Sequence, residues 1–575
     1  MSVTSAENLE TYLPWVPFFK ITMDVDSVTT SYLPYATYFL LAGIVVLIAI
    51  NYYIETTRVV RLIKKLPGPT SLPVFGRSLQ YLNVSPENAI KIGCELYKQY
   101  GTVMGGYAGT VAVVALIDPV DIEVILSSPE HIDKSHEYRL FKPWLGDGLL
   151  ITKGDKWRRH RKMIAPTFHM SILKTFVPLF YENSIDLVDR LRDKVGEEFD
   201  CHDYLSAVTV DILTETAMGV KRKKTGFDYA MAVMKMSDIL HRRHLSPYLR
   251  FDQIFQFSKF AKIQEKLLKT IHTLTERVIT EKSNEFEEKL TKSHQMKDVQ
   301  NDEQRKHLNA TENTNDSKNS TTNQMHYVRD DLDENDENDV GEKKRLALLE
   351  MMLDLKKKGQ WTDEEIWEEV NTIMFEGHDT TAAGSSFTLC VLGNHPDIQA
   401  RVHEEIDTIF GDNDRPCTFQ DTLEMKYLER VIMETLRLFP PVPTIARQLN
   451  REVKIVTGGY VLPKSCTIVI PQFAVHRLEK YYPNPEVFNP DNFLPEKMQE
   501  RHHYAFIPFS AGPRSCVGRK FAMLKLKVLL STILRNYRIT SDTPDHAFHL
   551  KGDIILKRHD GFMIKVEPRK PTPSK

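Results

Sequence analysis

The amino-terminal part of the chain contains one long apolar stretch. Residues 35–54 read YATYFLLAGIVVLIAINYYI and carry no charged side chain. Because a helix rises about 1.5 Å per residue, about 20 residues suffice to cross the hydrocarbon core of a bilayer. Tyrosines at both ends of the stretch match an interfacial aromatic belt. The pattern predicts one transmembrane helix over residues 35–54.

The charges on either side of this stretch differ in sign. Arg58, Arg61, Lys64 and Lys65 follow it, whereas residues 1–34 carry four acidic residues and one basic residue. Basic flanks stay on the cytosolic side, so we expect a lumenal segment 1–34 and a cytosolic body. A cleaved signal peptide is the alternative, but its basic residues would precede the apolar stretch.

Helical spacing of apolar residues dominates the body, residues 85–575, which follows a basic and proline-rich linker over 55–84. Three prolines between residues 67 and 73 exclude a helix interior in that linker. Strand-like runs in the body are short, as at 111–117. The predicted fold class is therefore mainly α with small β-sheets.

One helix of the body is predicted to be unusually long. Thr362 and Glu365 form a capping-box pattern, and apolar residues then follow helical spacing. The pattern continues to Asn394, just before Pro396. A helix of about 32 residues is nearly 50 Å long, so we expect it to cross the whole body.

Residues 290–342 have a different composition, rich in Asn, Asp, Glu, Ser, Thr and Lys with almost no large apolar residue. Such a segment buries too little surface to offset the entropy of ordering it, and it predicts a disordered insertion. Three glycosylation sequons lie in it, at Asn309, Asn315 and Asn319. On the cytosolic side of a membrane they would carry no glycan.

Composition excludes several classes of protein. The six cysteines of the 575-residue chain include no CxxC pair, which argues against a disulfide scaffold and a structural zinc site. The net charge is −2, but residues 330–339 alone hold seven acidic side chains, so the rest is mildly basic. That excess is too small for nucleic-acid binding and suits an acidic partner or a membrane surface.

The strongest candidate chemistry lies in residues 509–518, FSAGPRSCVG. Two glycines and a proline place Cys516 in a tight loop just before a helical stretch. A thiolate there gains from the helix dipole and loose backbone N–H groups, which predicts a lowered pKa and metal binding. Glycine lets the backbone approach a flat ligand closely, and Arg514 can pair with a carboxylate.

A second candidate lies midway along the long helix, at residues 376–381, EGHDTT. Glycine, aspartate and paired threonines are poor choices for a helix interior, and locally costly residues often mark function. The alternative is that Thr380 and Thr381 only bond back to the preceding turn of the helix.

These two motifs resemble those of the cytochrome P-450 superfamily. The loop matches the cysteine signature FxxGxRxCxG at every fixed position, and the resemblance extends over about residues 67–566. It implies that Cys516 is the axial ligand of the iron of haem b. It also implies that Phe509, Arg514 and Gly518 lie at the cofactor and that NADPH acts through a separate reductase.

In the helix motif, the resemblance implies that Gly377 gives room for dioxygen and that Asp379 and Thr380 deliver protons to it. Glu376 is typical of family 4 of the superfamily, in which this side chain often forms an ester with a haem methyl group. The residue is therefore a candidate covalent haem link, and an ester would remove the cost of an unpaired carboxylate.

Three further matches concern haem and fold. Trp157 and Arg161 match a WxxxR motif and, with Arg447, are expected to bind haem propionates. Glu434 and Arg437 match the structural ExxR pair, which lies on one helix face. The usual third partner of that pair is an arginine, but Asn492 stands in its place. We therefore expect an incomplete hydrogen-bonded triad.

Several stretches resemble subfamily G of insects, whose members convert long-chain fatty aldehydes to cuticular hydrocarbons by oxidative decarbonylation. We expect that activity on the endoplasmic reticulum membrane, with NADPH–cytochrome P-450 reductase as electron donor. The alternatives are a fatty-acid ω-hydroxylase and a non-catalytic haem sensor. A basic cluster follows the cysteine loop and is either a dock for the acidic reductase or a solvated helix face: Arg519, Lys520, Lys525 and Lys527.

Overall fold

The computed structural model describes residues 25–69, 76, 84–108, 111–221, 226–246, 248–304 and 346–569. The chain divides into two compact units, residues 1–61 and 62–575. Residues 1–24, most of the linker between 70 and 83, and residues 305–345 lie outside the described part. The predictions about the start of the lumenal segment and the three sequons therefore stay predictions.

In the first unit, helix α1 spans Val25–Thr56 and includes the whole predicted stretch 35–54. The large apolar side chains described between Tyr38 and Tyr53 are exposed. Among the described residues, no single helix passes a test of length and apolar composition for crossing a membrane. Helices covering Gly154–Phe168 and Met170–Lys194 pass it only as a pair, bent by 58°. The transmembrane helix stays a prediction.

The second unit is mainly helical, as predicted. Beyond α1, the helices are α2 Arg58–Ile63, α3 Pro86–Tyr100, α4 Pro119–Leu126, α5 Lys142–Leu145, α6 Gly154–Ile164, α7 Met170–Leu191, α8 Cys201–Thr216, α9 Gly226–Leu245, α10 Asp252–Phe255, α11 Lys259–Gln304, α12 Leu348–Lys357, α13 Asp363–Asn394, α14 Pro396–Phe410, α15 Phe419–Glu424, α16 Lys426–Leu438, α17 Gln472–Val475, α18 Pro495–Glu500 and α19 Arg519–Asn536. Short 3₁₀ turns join several of them.

The strands are short and form small sheets at the edges of the helical body. They are β1 Val103–Ala108, β2 Val111–Leu116, β3 Phe199–Asp200, β4 Ile445–Gln448, β5 Val453–Lys454, β6 Val461–Leu462, β7 Thr467–Ile470, β8 Tyr537–Thr540, β9 Leu550–Lys551, β10 Lys557–Arg558 and β11 Met563–Pro568. The largest sheet has the order β1-β2-β7-β4, in which only β2 and β7 run parallel. The other sheets among the described residues are two hairpins, β9–β10 and β5–β6, and a three-stranded sheet with the order β3-β11-β8.

Helix α13 is the long helix that the sequence predicts. The Thr362 hydroxyl accepts from the Glu365 N–H, and the Glu365 carboxylate accepts from the Thr362 N–H, so the capping box is formed. Most of its residues are buried on all sides, as expected for a helix inside a core. It packs against α8, α11, α16 and α19 and forms the axis of the body.

Two predictions about polar segments are wrong in part. Helix α11 continues to Gln304, so the predicted insertion does not begin at residue 290. Of the basic cluster after the cysteine loop, Lys525 and Lys527 are 0% and 2% exposed and cannot belong to a docking surface. Both lie on faces of α19 that pack inside the body. The positions of charged residues in the sequence did not show which faces of this helix are buried. Only Arg519 and Lys520 remain candidates for the dock.

Candidate haem site

A cavity of about 600 Å³ lies inside the second unit, next to the middle of α13. The cysteine loop, α13, hairpin β9–β10 and the segment 441–446 before and in β4 all contribute to its wall. Most of the wall is apolar, and the volume of the cavity lies within the range of small-molecule and cofactor sites. Most of the candidate residues named from the sequence line this wall.

The cysteine loop places Cys516 on this wall. The Cys516 N–H donates to the Phe509 carbonyl oxygen across 2.9 Å, which closes the loop three residues before α19 begins. Gly512 adopts a φ of +70°, and a Cβ atom there would lie 1.9 Å from the Leu126 carbonyl oxygen. The loop therefore requires glycine at that position. Cys516 is exposed to the cavity, whereas the other cysteines are buried or half-buried.

The pKa of the Cys516 thiol is raised, whereas its position just before a helix predicted a lowered pKa. Although the thiol faces the cavity, the surrounding protein removes it from bulk water, and this desolvation raises its pKa to about 11. The Glu376 carboxylate acts in the same direction. The Gly518 N–H lowers the pKa as expected, but its effect is smaller than that of burial. A coordinated metal ion deprotonates a thiol outright, so the raised pKa is compatible with a ligand role.

A group of buried cations lies near the same cavity, and we call it the cationic cluster: Lys134, Arg161, Arg447 and Arg514. Burial and mutual repulsion lower the pKa of Lys134, and burial and Arg447 lower that of Arg514 to about 9. The Nη1 atom of Arg514 is buried without a hydrogen-bond partner among the described residues. Buried cations need anionic partners, and the two propionates of haem are of that kind.

The partners of these cations refine the sequence prediction. Arg161 donates to the Ser515 carbonyl oxygen at 2.9 Å and so braces the cysteine loop. Arg514 donates to main-chain oxygens of the segment 149–152 and lies 4.7 Å from the Trp157 ring centroid. Arg447 donates to the Ser510 hydroxyl at 3.3 Å. Trp157, Arg161 and Arg514 line the cavity directly, whereas Arg447 reaches it through Ser510.

Glu376 lies on the cavity wall, one turn before the threonines. Burial raises the pKa of its carboxyl group to about 7, against the lowering effect of Lys134. No residue of the described ranges forms a hydrogen bond or ion pair with this carboxylate. A desolvated carboxylate with no hydrogen bond or ion pair is costly even with cations nearby, and an ester bond would relieve that cost.

The two residues predicted to deliver protons face different surroundings. Thr380 lines the cavity, and its hydroxyl donates to the Glu376 carbonyl oxygen at 2.8 Å. Such a bond to the preceding helix turn is the alternative that the sequence offers to a catalytic role. Thr380 forms this bond and also faces the cavity. Asp379 is fully buried, with its carboxylate 3.2 Å from the Lys557 ammonium of β10. Gly377, between them and Glu376, also lines the cavity.

The surroundings of Asp379 keep it ionised. Burial raises its pKa, but Lys557 and two nearby histidines outweigh burial, and the net pKa lies below the usual value. The Nε2 atom of His202 is 4.0 Å from the Asp379 carboxylate, and burial lowers the pKa of this histidine to about 3. Asp379 and Lys557 therefore form a charged pair beside a neutral histidine.

The ExxR pair has a complete set of partners. Arg437 donates from Nε and Nη2 to the two oxygens of the Glu434 carboxylate, at 2.7 and 2.8 Å, and both side chains are fully buried. The side-chain amide of Asn492 donates to Glu434 at 3.0 Å. Arg501 donates to the Asn492 carbonyl oxygen at 2.7 Å. The expectation of an incomplete triad is wrong, because asparagine also supplies an N–H donor.

Sequence reasoning missed Lys134 in the cationic cluster, and Lys557 and His202 beside Asp379. None of these residues belongs to a recognisable motif or periodic pattern. Only the packing of distant segments brings them to the site. Lys557 follows the apolar run Ile554-Ile555-Leu556, which is at most a weak hint that its side chain is buried.

Comparisons with known proteins agree with this geometry. A model of the cytochrome P450 family matches residues 66–566. Cytochrome P450 4g15 of Drosophila melanogaster is 49% identical over 557 residues, which cover 92% of this chain and 97% of that protein. Cytochrome P450 4g1 of the same organism is 48% identical over 536 residues, 92% of this chain and 94% of its own. Human cytochrome P450 4V2 is 38% identical over 470 residues, 80% and 82% of the two chains.

The residues on the cavity wall fit haem, with a thiol for the iron and cations for the propionates. Bound haem supplies the iron at which dioxygen is activated, with electrons that a reductase delivers from NADPH. Cys516 would hold the iron and the cationic cluster would hold the propionates, with Glu376 and Thr380 beside them on the cavity wall. From its matched family model, its relatives and this site, the chain belongs to the cytochrome P450 family and within it to family 4, and it is a haem-dependent monooxygenase.

Proposed function

We propose that this monooxygenase acts on long-chain lipids at the endoplasmic reticulum membrane and converts fatty aldehydes to hydrocarbons. The observation that carries the proposal is the cavity of about 600 Å³, whose largely apolar wall includes both Cys516 and Glu376. Such a wall fits an extended hydrocarbon chain better than a polar substrate. The resemblance to subfamily G and the half-identical relatives support the choice of aldehyde.

The charges on the wall favour an uncharged head group. Arg250 lines the cavity, but it already donates twice to the His244 carbonyl oxygen, and Glu137 faces it. Asp553 also lines the cavity, and burial raises its pKa to about 7. A fatty-acid carboxylate near Arg250 would compete with Glu137 for that arginine, whereas an aldehyde needs no counter-ion.

The proposed reaction balances with one dioxygen molecule. The aldehyde, dioxygen, two electrons and two protons give an alkane one carbon shorter, carbon dioxide and water. The bond between the aldehyde carbon and its neighbour breaks, and a C–H bond forms on that neighbour. The electrons come from NADPH through the reductase, so the chain itself needs no nicotinamide site.

Product analysis tests the proposal. The full-length protein is reconstituted with the reductase in lipid vesicles and given a long-chain aldehyde labelled at the aldehyde carbon. We expect the shortened alkane by mass spectrometry and the label in carbon dioxide. The fatty acid of equal length is the matched control substrate. Finding only terminal alcohol or ω-hydroxy acid would favour the ω-hydroxylase and exclude decarbonylation as the main reaction.

The membrane part of the proposal has a separate test. We infer that residues 35–54, which lie within α1, anchor the chain with its second unit in the cytosol. In microsomes, the full-length protein should resist alkaline carbonate extraction, and a protease added outside should digest the second unit. Deletion of residues 1–54 should release the protein. Carbonate-soluble full-length protein, or a second unit protected from the protease, would contradict this inference.

A further inference from the structure

Lys525 lies behind the helix turn that borders the cavity. It stands on α19, nine residues after Cys516 in the chain, and its side chain is fully buried. Its Nζ atom donates to the Gly377 carbonyl oxygen on α13 across 2.7 Å. Gly377 lines the cavity, whereas Lys525 does not. The lysine therefore joins the helix of the cysteine loop to the turn of α13 from the side away from the cavity.

A buried lysine at this position is costly. Burial lowers its pKa to about 7, and no carboxylate pairs with it among the described residues. The ring of Phe521 lies 5.2 Å from Nζ, and the nearby His378 is no counter-ion, since Lys525 helps to lower the pKa of that histidine. Lys527, two residues on, is also buried but forms an ion pair with Glu429. An apolar side chain in place of Lys525 would avoid the cost, which suggests a role other than stability.

The bond to Gly377 affects the helix itself. The same carbonyl oxygen accepts from the Thr381 hydroxyl at 2.7 Å. A carbonyl oxygen has two lone pairs, so these two side-chain donors compete with the Thr381 N–H, the regular partner in the helix. Side chains that insert into this ladder of hydrogen bonds loosen or bend a helix. The turn that accepts these bonds carries Glu376, Gly377 and Thr380 on the cavity wall.

We propose that Lys525 is a positioning residue for oxygen activation. Its hydrogen bond ties the Gly377 carbonyl oxygen to α19 and competes with the Thr381 N–H for that oxygen. This tie sets where the Thr380 hydroxyl and the Gly377 main chain stand relative to the cavity. The inference goes beyond the proposed substrate, because it concerns any lipid that this monooxygenase oxidises.

Hydrogen exchange tests the proposed effect on the helix directly. In the haem-loaded protein, Lys525→Met removes the donor and keeps the length of the side chain. The Thr381 amide should then exchange several-fold more slowly, because its competitor for the Gly377 oxygen is gone. Lys525→Gln, with a shorter amide donor, should show a smaller change in the same direction. Lys527→Met is the matched control, and the Thr381 amide should exchange in it as in the wild type.

A second readout tests the functional consequence. Electrons that do not reach the substrate leave as hydrogen peroxide, since dioxygen, NADPH and one proton give peroxide and NADP⁺. In Lys525→Met the ratio of peroxide to product should rise several-fold, and in Lys527→Met it should stay unchanged. If Lys525→Met does not take up haem, Lys525→Gln is measured in the same way. Unchanged exchange at Thr381 together with an unchanged peroxide ratio in the haem-loaded variant would overturn the proposal.

Discussion

The carboxylate of Asp379 on α13 lies 3.2 Å from the ammonium of Lys557 on β10, and Asp379 has no exposed surface. The pair joins the cavity-bordering turn of α13 to the hairpin β9–β10. We expect Lys557→Met to lower the free energy of unfolding at pH 7 by on the order of 3 kcal/mol, because it leaves a buried carboxylate without its cation. Urea denaturation measures the loss.

The same variant has a pH dependence of defined sign. The pKa of Asp379 lies below its usual value, because the effect of Lys557 and the histidines outweighs burial. The ion pair therefore contributes stability above the unfolded pKa of about 4 and loses it as the pH falls. The deficit of Lys557→Met should shrink when urea denaturation is repeated at about pH 3, below the unfolded pKa. Lys565→Met, which breaks the exposed pair with Asp542, is the control and should change little.

The Asn492 amide is predicted to be an energetic part of the ExxR pair. Asn492→Ala removes the donor to Glu434 and should cost about 1.5–3 kcal/mol, the range for a buried hydrogen bond to a charged group. The control is Asn536→Ala, which removes an amide bond to the uncharged Thr532 carbonyl oxygen. Equal losses in the two variants, measured by urea denaturation, would show that Asn492 does not serve the Glu434 charge.

Thr380 is predicted to act through its position on the cavity wall. Thr380→Ala should raise the fraction of NADPH lost as peroxide several-fold, because a hydroxyl that faces the cavity is removed. Ser385→Ala removes a similar backward bond, to the Thr381 carbonyl oxygen, away from the cavity. A normal peroxide fraction in Thr380→Ala, or an equal rise in the serine variant, would contradict the role.

Glu376 is predicted to bind haem covalently. Its carboxyl group lies on the cavity wall without a protein partner in the described chain, and its raised pKa favours the neutral form that an ester resembles. Acidic organic solvent should leave haem on the wild-type protein and extract it from Glu376→Gln. Glu137→Gln changes another carboxylate of the same wall and should retain haem as the wild type does. Complete extraction from the wild type would exclude the ester.

Motifs of neighbouring residues were predicted well from the sequence. The capping box of α13, the cysteine loop and the ExxR pair all depend on contacts between residues a few positions apart, and all three are formed. Short-range geometry follows from residue type and spacing alone. This is why the mainly helical fold could be expected without a structure, whereas the place of Cys516 at a cofactor cavity was implied by the resemblance to the cytochrome P-450 superfamily.

Contacts between distant segments could not be predicted in this way. Lys525 and Lys527 read as an exposed basic face, because only the packing of α19 shows which side is buried. Asn492 was expected to leave the ExxR pair without its third partner. Its side-chain amide reaches Glu434 only because of the path of the chain between α16 and residue 492, which the sequence does not show. The pKa of Cys516 was predicted with the wrong sign, since a sequence shows a helix start but not the degree of burial.

The spectrum of the reduced protein with carbon monoxide tests the central claim, that Cys516 is the iron ligand in this cavity. We expect an absorption band at about 450 nm in the wild type, which thiolate ligation produces, and its loss in Cys516→Ala. Cys466→Ala, which changes a fully buried cysteine outside the cavity wall, should keep the band. A Cys516→Ala protein that still shows this band would contradict the assignment of the ligand and with it the site described here.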